Sequence, residues 1–106
     1  MDFSVKNFEF FAHLTQFAFV DEIWLYGSRA RGDNREDSDY DIAVIQKADP
    51  HIGQKSKIYR TLINMGYDWK VEPDIHLFSE DNFNERLKKN SLFIREIIKG
   101  KTIYEI

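Results

Sequence analysis

The stretch from Gly27 to Val44, GSRARGDNREDSDYDIAV, constrains this chain more than any other. An apolar run, Ile23-Trp24-Leu25-Tyr26, stops in front of it, and a second, Ile42-Ala43-Val44-Ile45, closes it. Between them lie a Gly-Ser turn, a cluster of Arg and Asp, and the aspartates Asp39 and Asp41, one residue apart. The apolar runs read as strands and the polar insert as the connection between them. Glu22 to Tyr26 is the first strand, broken by Gly27. Ser28 is placed to cap a short helix through Ala30 and Arg31, and Gly32-Asp33-Asn34 is a turn. Residues 39–46 form the second strand. Its apolar end is continuous rather than alternating, which predicts a central strand buried on both faces.

The remaining elements follow from periodicity and end signals. Residues 5–18 read as a helix with a wide apolar arc, Phe8, Phe11 and Ala12 on one stripe and Phe10, Leu14 and Phe17 beside it. Asp49-Pro50 is a helix start, with Ile52, Tyr59, Leu62 and Ile63 as the buried stripe and Gly66 as the stop. Residues 70–78 form a third strand, whose Pro73 marks an irregular or edge beginning. Ser79 caps another helix, with Glu80 and Asp81 at its positive end; Ser91 restarts it and Gly100 ends it. Thr102 to Tyr104 is a last short strand. The expected class is α+β: a small mixed central sheet with helices on one face and polar strand residues on the other.

Bulk properties narrow the functions. At 106 residues the chain fits a single domain. A net charge of −3 offers no basic excess, so direct nucleic-acid binding is not expected. With no cysteine, neither a disulfide framework nor a thiolate metal site exists. No signal-peptide pattern and no bilayer-length apolar run is present, which predicts a cytoplasmic protein. Six of the nine phenylalanines precede residue 20, more than a small core needs, so this segment reads as a helix packed on the sheet with some apolar overflow, or alternatively as a surface that docks a partner.

The polar insert carries the chemistry. Strand side chains alternate, so Asp39 and Asp41 share a face while Tyr40 and Ile42 take the other. Two adjacent carboxylates repel, and one tends to stay protonated unless a cation neutralises them. A hard ion such as Mg²⁺ takes carboxylates together with water and phosphate oxygens. In Pro73-Asp74-Ile75-His76-Leu77-Phe78, Ile75 and Leu77 alternate with Asp74 and His76, which puts Asp74 on the same polar side. Three such aspartates suit two metal ions and an in-line displacement at phosphorus. His76 is read as a hydrogen-bonded strand histidine. Gly27 permits close backbone approach, Ser28 offers its hydroxyl and N–H to phosphate, and Arg29, Arg31 and Arg35 are candidates for the remaining positive charge, with Arg31 and Arg35 preferred. No Gly-Lys-Ser/Thr ending is present, so the insert is not a P-loop.

Gly27-Ser28, ten residues, Asp39-x-Asp41, and the later strand aspartate Asp74 together resemble the DNA polymerase beta-type nucleotidyltransferase superfamily. Within the insert, Gly27-Ser28-Arg29-Ala30-Arg31-Gly32 and Ser38-Asp39-Tyr40-Asp41 resemble its minimal nucleotidyltransferase (MNT) branch. The resemblance implies that fold and a reaction. ATP binds through its phosphates at Gly27 and Ser28, Asp39 and Asp41 bind Mg²⁺, and Asp74 completes the metal site and helps deprotonate the acceptor. It further implies a partner: this branch pairs with HEPN-type proteins, commonly RNase toxins, and its members act as antitoxins by transferring AMP to a toxin tyrosine. The chain would then work as a hetero-oligomer or homodimer. Two other functions compete: a binding-only antitoxin without significant catalysis, and a nucleotidyltransferase for a small molecule or an RNA end.

Overall fold

The computed structural model describes residues 20–67 and 72–105. The expected helix over residues 5–18 lies outside the described residues. The elements run β1 (Val20–Tyr26), α1 (Ser28–Arg31), β2 (Tyr40–Gln46), α2 (Gln54–Asn64), β3 (Pro73–Ser79), α3 (Glu80–Lys88), α4 (Leu92–Ile98) and β4 (Lys101–Glu105). The four strands form one mixed sheet in the order β3-β2-β1-β4. β1 pairs antiparallel with β2 and β4, and β2 pairs parallel with β3.

β2 is interior, as its continuous apolar end predicts. Ile42 to Gln46 are all buried, and its one half-buried position is Asp41. On one face Ile23, Leu25, Ile42, Val44 and Ile75 pack against Ile58 and Leu62 of α2. On the other, Ala43, Ile45 and Phe78 pack against Phe83 of α3 and Ile94 and Ile97 of α4. A small mixed sheet was expected with helices on one face only, and the second part is corrected, since helices lie on both faces. The second face is shared: α3 and α4 cover the part beneath Ala43 and Ile45, and the polar residues keep the rest.

The start of α2 corrects the expectation at Asp49-Pro50. The helix begins at Gln54 behind Gly53, whose φ of 88° suits only glycine well. A buried amide pair fixes that start. Gln46 Nε2 donates to Gln54 Oε1 at 3.2 Å, and Gln54 Nε2 donates to Gln46 Oε1 at 2.7 Å. Gln54 Oε1 also accepts the His51 N–H, and Gln46 Nε2 donates to the Ala48 carbonyl. The amides thereby hold residues 48–53 as a turn tied to the end of β2. This moves the helix face, so Ile52 and Ile63 are exposed, while Ile58 and Leu62, one turn apart, form the buried stripe with Tyr59 half-buried.

The later end signals behave as read. Ser79 Oγ accepts the Asn82 N–H at 3.1 Å, with Glu80 and Asp81 in the first turn of α3, and Ser91 Oγ caps α4 through the Ile94 N–H. β3 is the outermost described strand on its side and opens with Pro73. The Tyr59 hydroxyl donates to the Pro73 carbonyl at 2.8 Å and accepts the Ile75 N–H at 3.3 Å. Among the described residues no helix is long and apolar enough to cross a membrane.

Ile42 and Ile52 make a direct comparison. Ile42→Ala removes a fully buried side chain and should lower unfolding stability by about 2–5 kcal/mol in urea titrations. Ile52→Ala, on an exposed turn, should change it by less than about 0.5 kcal/mol.

Candidate active site

Strand register builds the site. Asp41 is the cross-strand partner of Tyr26 on β1 and of Asp74 on β3. Residues opposite one another project to the same face, so Asp74, Asp41 and Tyr26 form a row near one end of the sheet. His76 lies two residues beyond Asp74 on that face, with its Nε2 3.2 Å from Asp74 Oδ2. The histidine is hydrogen-bonded, as read from the sequence, but its partner is a candidate catalytic carboxylate. Phe93 of α4 packs on His76 and Tyr26, with ring centroids 5.1 and 5.8 Å away.

Gly27 stands at the end of β1 with φ 74° and ψ −155°, a combination open essentially to glycine alone. A Cβ at this position would overlap Oδ2 of Asp41. Glycine is therefore needed twice, for its backbone angles and for the space that the carboxylate fills. Gly27 also serves as the cap residue of α1, and its carbonyl accepts the N–H groups of Ala30 and Arg31 at 3.1 Å. This corrects the expectation for Ser28, which is the first helical residue and makes no side-chain cap. Its position beside Gly27 is unchanged.

The electrostatics follow from this packing. The Asp41 carboxyl is pushed above the ordinary carboxylate value by burial first, then by the negative charges of Asp74 and Asp39. His76 and Arg31 oppose that shift. The Tyr26 phenol is pushed well above its ordinary value by burial and by the same neighbours, Asp41 and Asp74. Asp39 is exposed, immediately before β2. The cluster therefore holds excess negative charge and hard oxygen donors, a donor set that fits a hard cation. Among the described residues no three of these donors enclose a metal position by themselves.

The arginines divide sharply. Arg29, the one not preferred from the sequence, is 3% exposed and turned inward. Its Nε donates to the Ser38 carbonyl at 2.9 Å, and its Nη2 donates to the Glu36 carbonyl at 2.8 Å and the Arg35 carbonyl at 3.4 Å. Its guanidinium carbon lies 4.4 Å from the Tyr40 ring centroid. Arg29 thus ties α1 to the loop that delivers Asp39 and Asp41. The available signal was indirect: residues 32–38 contain no run able to form its own ladder, so their carbonyls need an internal donor. Arg31 is exposed, paired with Asp33 at 3.1 Å and 3.8 Å from Glu96. Arg35 contributes backbone groups to the loop, accepting from Arg29 and donating to Ser38 Oγ, while the residue itself is exposed.

The polymerase beta nucleotidyltransferase family model matches residues 11–106. The chain belongs to that family. A relative from Methanocaldococcus jannaschii, MJ0141, whose name assigns it provisionally to the protein adenylyltransferases, is 36% identical over 59 residues. That match covers 54% of this chain and 60% of the relative's length. Two solved structures share the fold. One is a toxin–antitoxin with AMP-PNP, with TM-score 0.62 and 18% identity over 94% of this chain and 74% of that one. The other is the toxin–antitoxin MntA–HpeT in a mutant form, with TM-score 0.59 and 16% identity over 94% and 74%. In this nucleotidyltransferase family member, Gly27, Ser28, Asp39, Asp41 and Asp74 all fall inside the matched residues.

Two outcomes test the geometry. The folded protein favours the protonated form of Asp41, so in EDTA its stability should fall as pH rises through and above the ordinary value of 3.8. Asp41→Asn removes that penalty. The variant should melt above the parent at pH 7, and the gap should close on acidification. Separately, Arg29→Met removes a buried guanidinium that donates to three loop carbonyls and should cost roughly 2–4 kcal/mol in chemical denaturation, whereas Arg35→Ala should cost less than about 0.5 kcal/mol.

Proposed function

We propose that this chain is a Mg²⁺-dependent nucleotidyltransferase that moves AMP from ATP to a hydroxyl, with a tyrosine of a HEPN-type toxin as acceptor, and so acts as an antitoxin. The observation that carries the proposal is the alignment of Asp41 with Asp74 directly beside the Gly27 turn. A like-charged pair at that distance from a close-approach glycine has a use where a cation and a phosphate meet. The family membership and the names of its relatives support the choice of nucleotide and partner.

In this scheme Gly27 lets the triphosphate approach backbone, and the Ser28 hydroxyl donates to a phosphate oxygen. Asp39, Asp41 and Asp74 would hold Mg²⁺, a hard ion that takes carboxylate oxygens. When bound, the ion supplies the positive charge that offsets both phosphate and carboxylates. Asp74, oriented by His76, takes the proton of the acceptor hydroxyl. The acceptor oxygen bonds to the α-phosphorus, the bond from that phosphorus to the bridging oxygen breaks, and pyrophosphate leaves with the electron pair. Arg29 contributes by fixing the loop ahead of Asp39.

A binding-only antitoxin is the second reading. It is favoured by one observation, that no three donors among the described residues enclose a metal position on their own. The two separate in one experiment. The Asp39→Asn/Asp41→Asn variant should lose label transfer from α-labelled ATP to a co-expressed toxin by at least about a hundredfold, and with it toxin neutralisation. Neutralisation that survives in full without transfer would leave binding as the activity.

A further inference from the structure

The end of the sheet opposite the aspartate row carries a second cluster of charge. At about 3.3 Å per residue, Lys47 lies about 20 Å along β2 from Asp41. A cavity of about 250 Å³ opens there, and Asp21, Glu22, Glu80 and Glu105 line it together with Lys47 and Asn84. Strand register brings the acids together. Glu22 is the cross-strand partner of Glu105, and like charges directly opposite one another destabilise a ladder. The register of β1 on β2 shifts between Val20 and Glu22, which makes Asp21 the extra residue of a bulge. The bulge takes Asp21 out of the strand alternation, so it lines the same cavity as its neighbour Glu22.

Asp21 is only 9% exposed, yet neither of its carboxylate oxygens accepts a hydrogen bond among the described residues. Buried carboxylates are ordinarily both paired and hydrogen-bonded. Lys47 meets part of that need. Its Nζ lies 2.9 Å from Asp21 Oδ1 and donates to Glu80 Oε2 at 3.1 Å. Asp21 Oδ2 has no such partner among the described residues. One ammonium therefore serves a cavity wall with four carboxylates.

We propose that this cavity binds a guanidinium group, carried into it on an arginine side chain of a partner polypeptide. A metal ion fits poorly, because among the described residues no three of these carboxylates converge on one position. A second ammonium is a compact point charge, whereas the acids stand apart on β1, β4 and α3. A guanidinium presents five donors in a planar fork and is weakly hydrated, so it can bond several carboxylates at once in a half-enclosed site. Lys47 and Glu80 are 55% and 43% exposed, so the cavity opens to the surface and a long side chain can enter while its backbone stays outside. The site lies far from the catalytic end and stands whether or not AMP is transferred there.

Trp24 provides the readout. Its Nε1–H donates to Glu22 Oε2 at 3.3 Å, so its indole resonance reports on the cavity wall. The whole protein, labelled with nitrogen-15 tryptophan and assigned with Trp24→Phe, is titrated with methylguanidinium, with methylammonium and with the end-blocked peptide Gly-Gly-Arg-Gly-Gly. At a few ångströms one charge across a wet surface changes affinity about fivefold. Methylguanidinium should shift the Trp24 signal saturably and bind about fivefold more tightly than methylammonium, and the peptide should bind at least as tightly as methylguanidinium. Asp21→Asn should weaken the peptide about fivefold, and Glu105→Gln, at an exposed position, should weaken it in the same direction if Asp21→Asn fails to fold. Lys47→Met removes the competing cation and should tighten the peptide about fivefold, which loss of structure does not mimic. Asp37→Asn makes the same change in net charge as Asp21→Asn, in the exposed loop at the catalytic end, and should stay within about twofold. Melting curves check the folding of each variant. The guanidinium site is overturned if methylguanidinium gives no saturable shift, if methylammonium binds as tightly, if Lys47→Met does not tighten binding, or if Asp37→Asn weakens it as much as Asp21→Asn. A peptide that fails to bind where methylguanidinium binds would overturn the polypeptide source in favour of a small guanidino compound.

Discussion

The carboxylate of Asp41 occupies the space that any side chain on Gly27 would need. That one contact fixes the distance between the turn and β2, and most of the surrounding structure serves to maintain it. Antiparallel pairing of β1 with β2 brings the two residues together from one side. Arg29 holds the intervening loop from the other, through three carbonyls and the Tyr40 ring. Parallel pairing with β3 then delivers Asp74 in register. Each of these is a backbone-scale constraint, so the site depends on the sheet more than on any flexible side chain.

The arrangement sets stability against chemistry. Burial and two neighbouring carboxylates disfavour the ionised form of Asp41, yet the proposed role of holding a cation needs that ionised form. The interior of the sheet bears this cost because Ile42, Val44 and Ile45, adjacent on the same strand, are buried on both faces. Tyr26 and His76 surround the charged row with groups that can hydrogen-bond without adding negative charge at neutral pH.

Much of this was legible because the signals were local. Two strands bracketing a polar insert, the i, i+2 aspartates, the alternation around Asp74 and the serine caps at 79 and 91 depend only on neighbouring residues. The failures came where a distant partner decided. Asp49-Pro50 satisfies every local rule for a helix start, but Gln46 on β2 recruits Gln54 and moves the start four residues on. Ile52 and Ile63 lost their place in the core for the same reason. Arg29 was passed over in favour of Arg31 and Arg35, since nothing in the local pattern says which of the three faces a loop nine residues away. The second face of the sheet was read as polar from its aspartates, while Ala43, Ile45 and Phe78 on that face gave α3 and α4 something to cover.

The hydroxyl of Tyr59, bound to the Pro73 carbonyl and the Ile75 N–H, also determines how another molecule can approach. The Tyr40 N–H reaches the Glu72 carbonyl, so the backbone groups of the even-numbered residues of β3 point to β2 and those of Pro73 and Ile75 point to the outer edge. The Pro73 carbonyl and the Ile75 N–H are already engaged, and Pro73 has no N–H to offer. An extended segment of a second chain would find these two groups beside Asp74 already taken. Strand addition is thereby disfavoured at the start of β3, which leaves side chains and helical surfaces as the groups available for recognition next to Asp74.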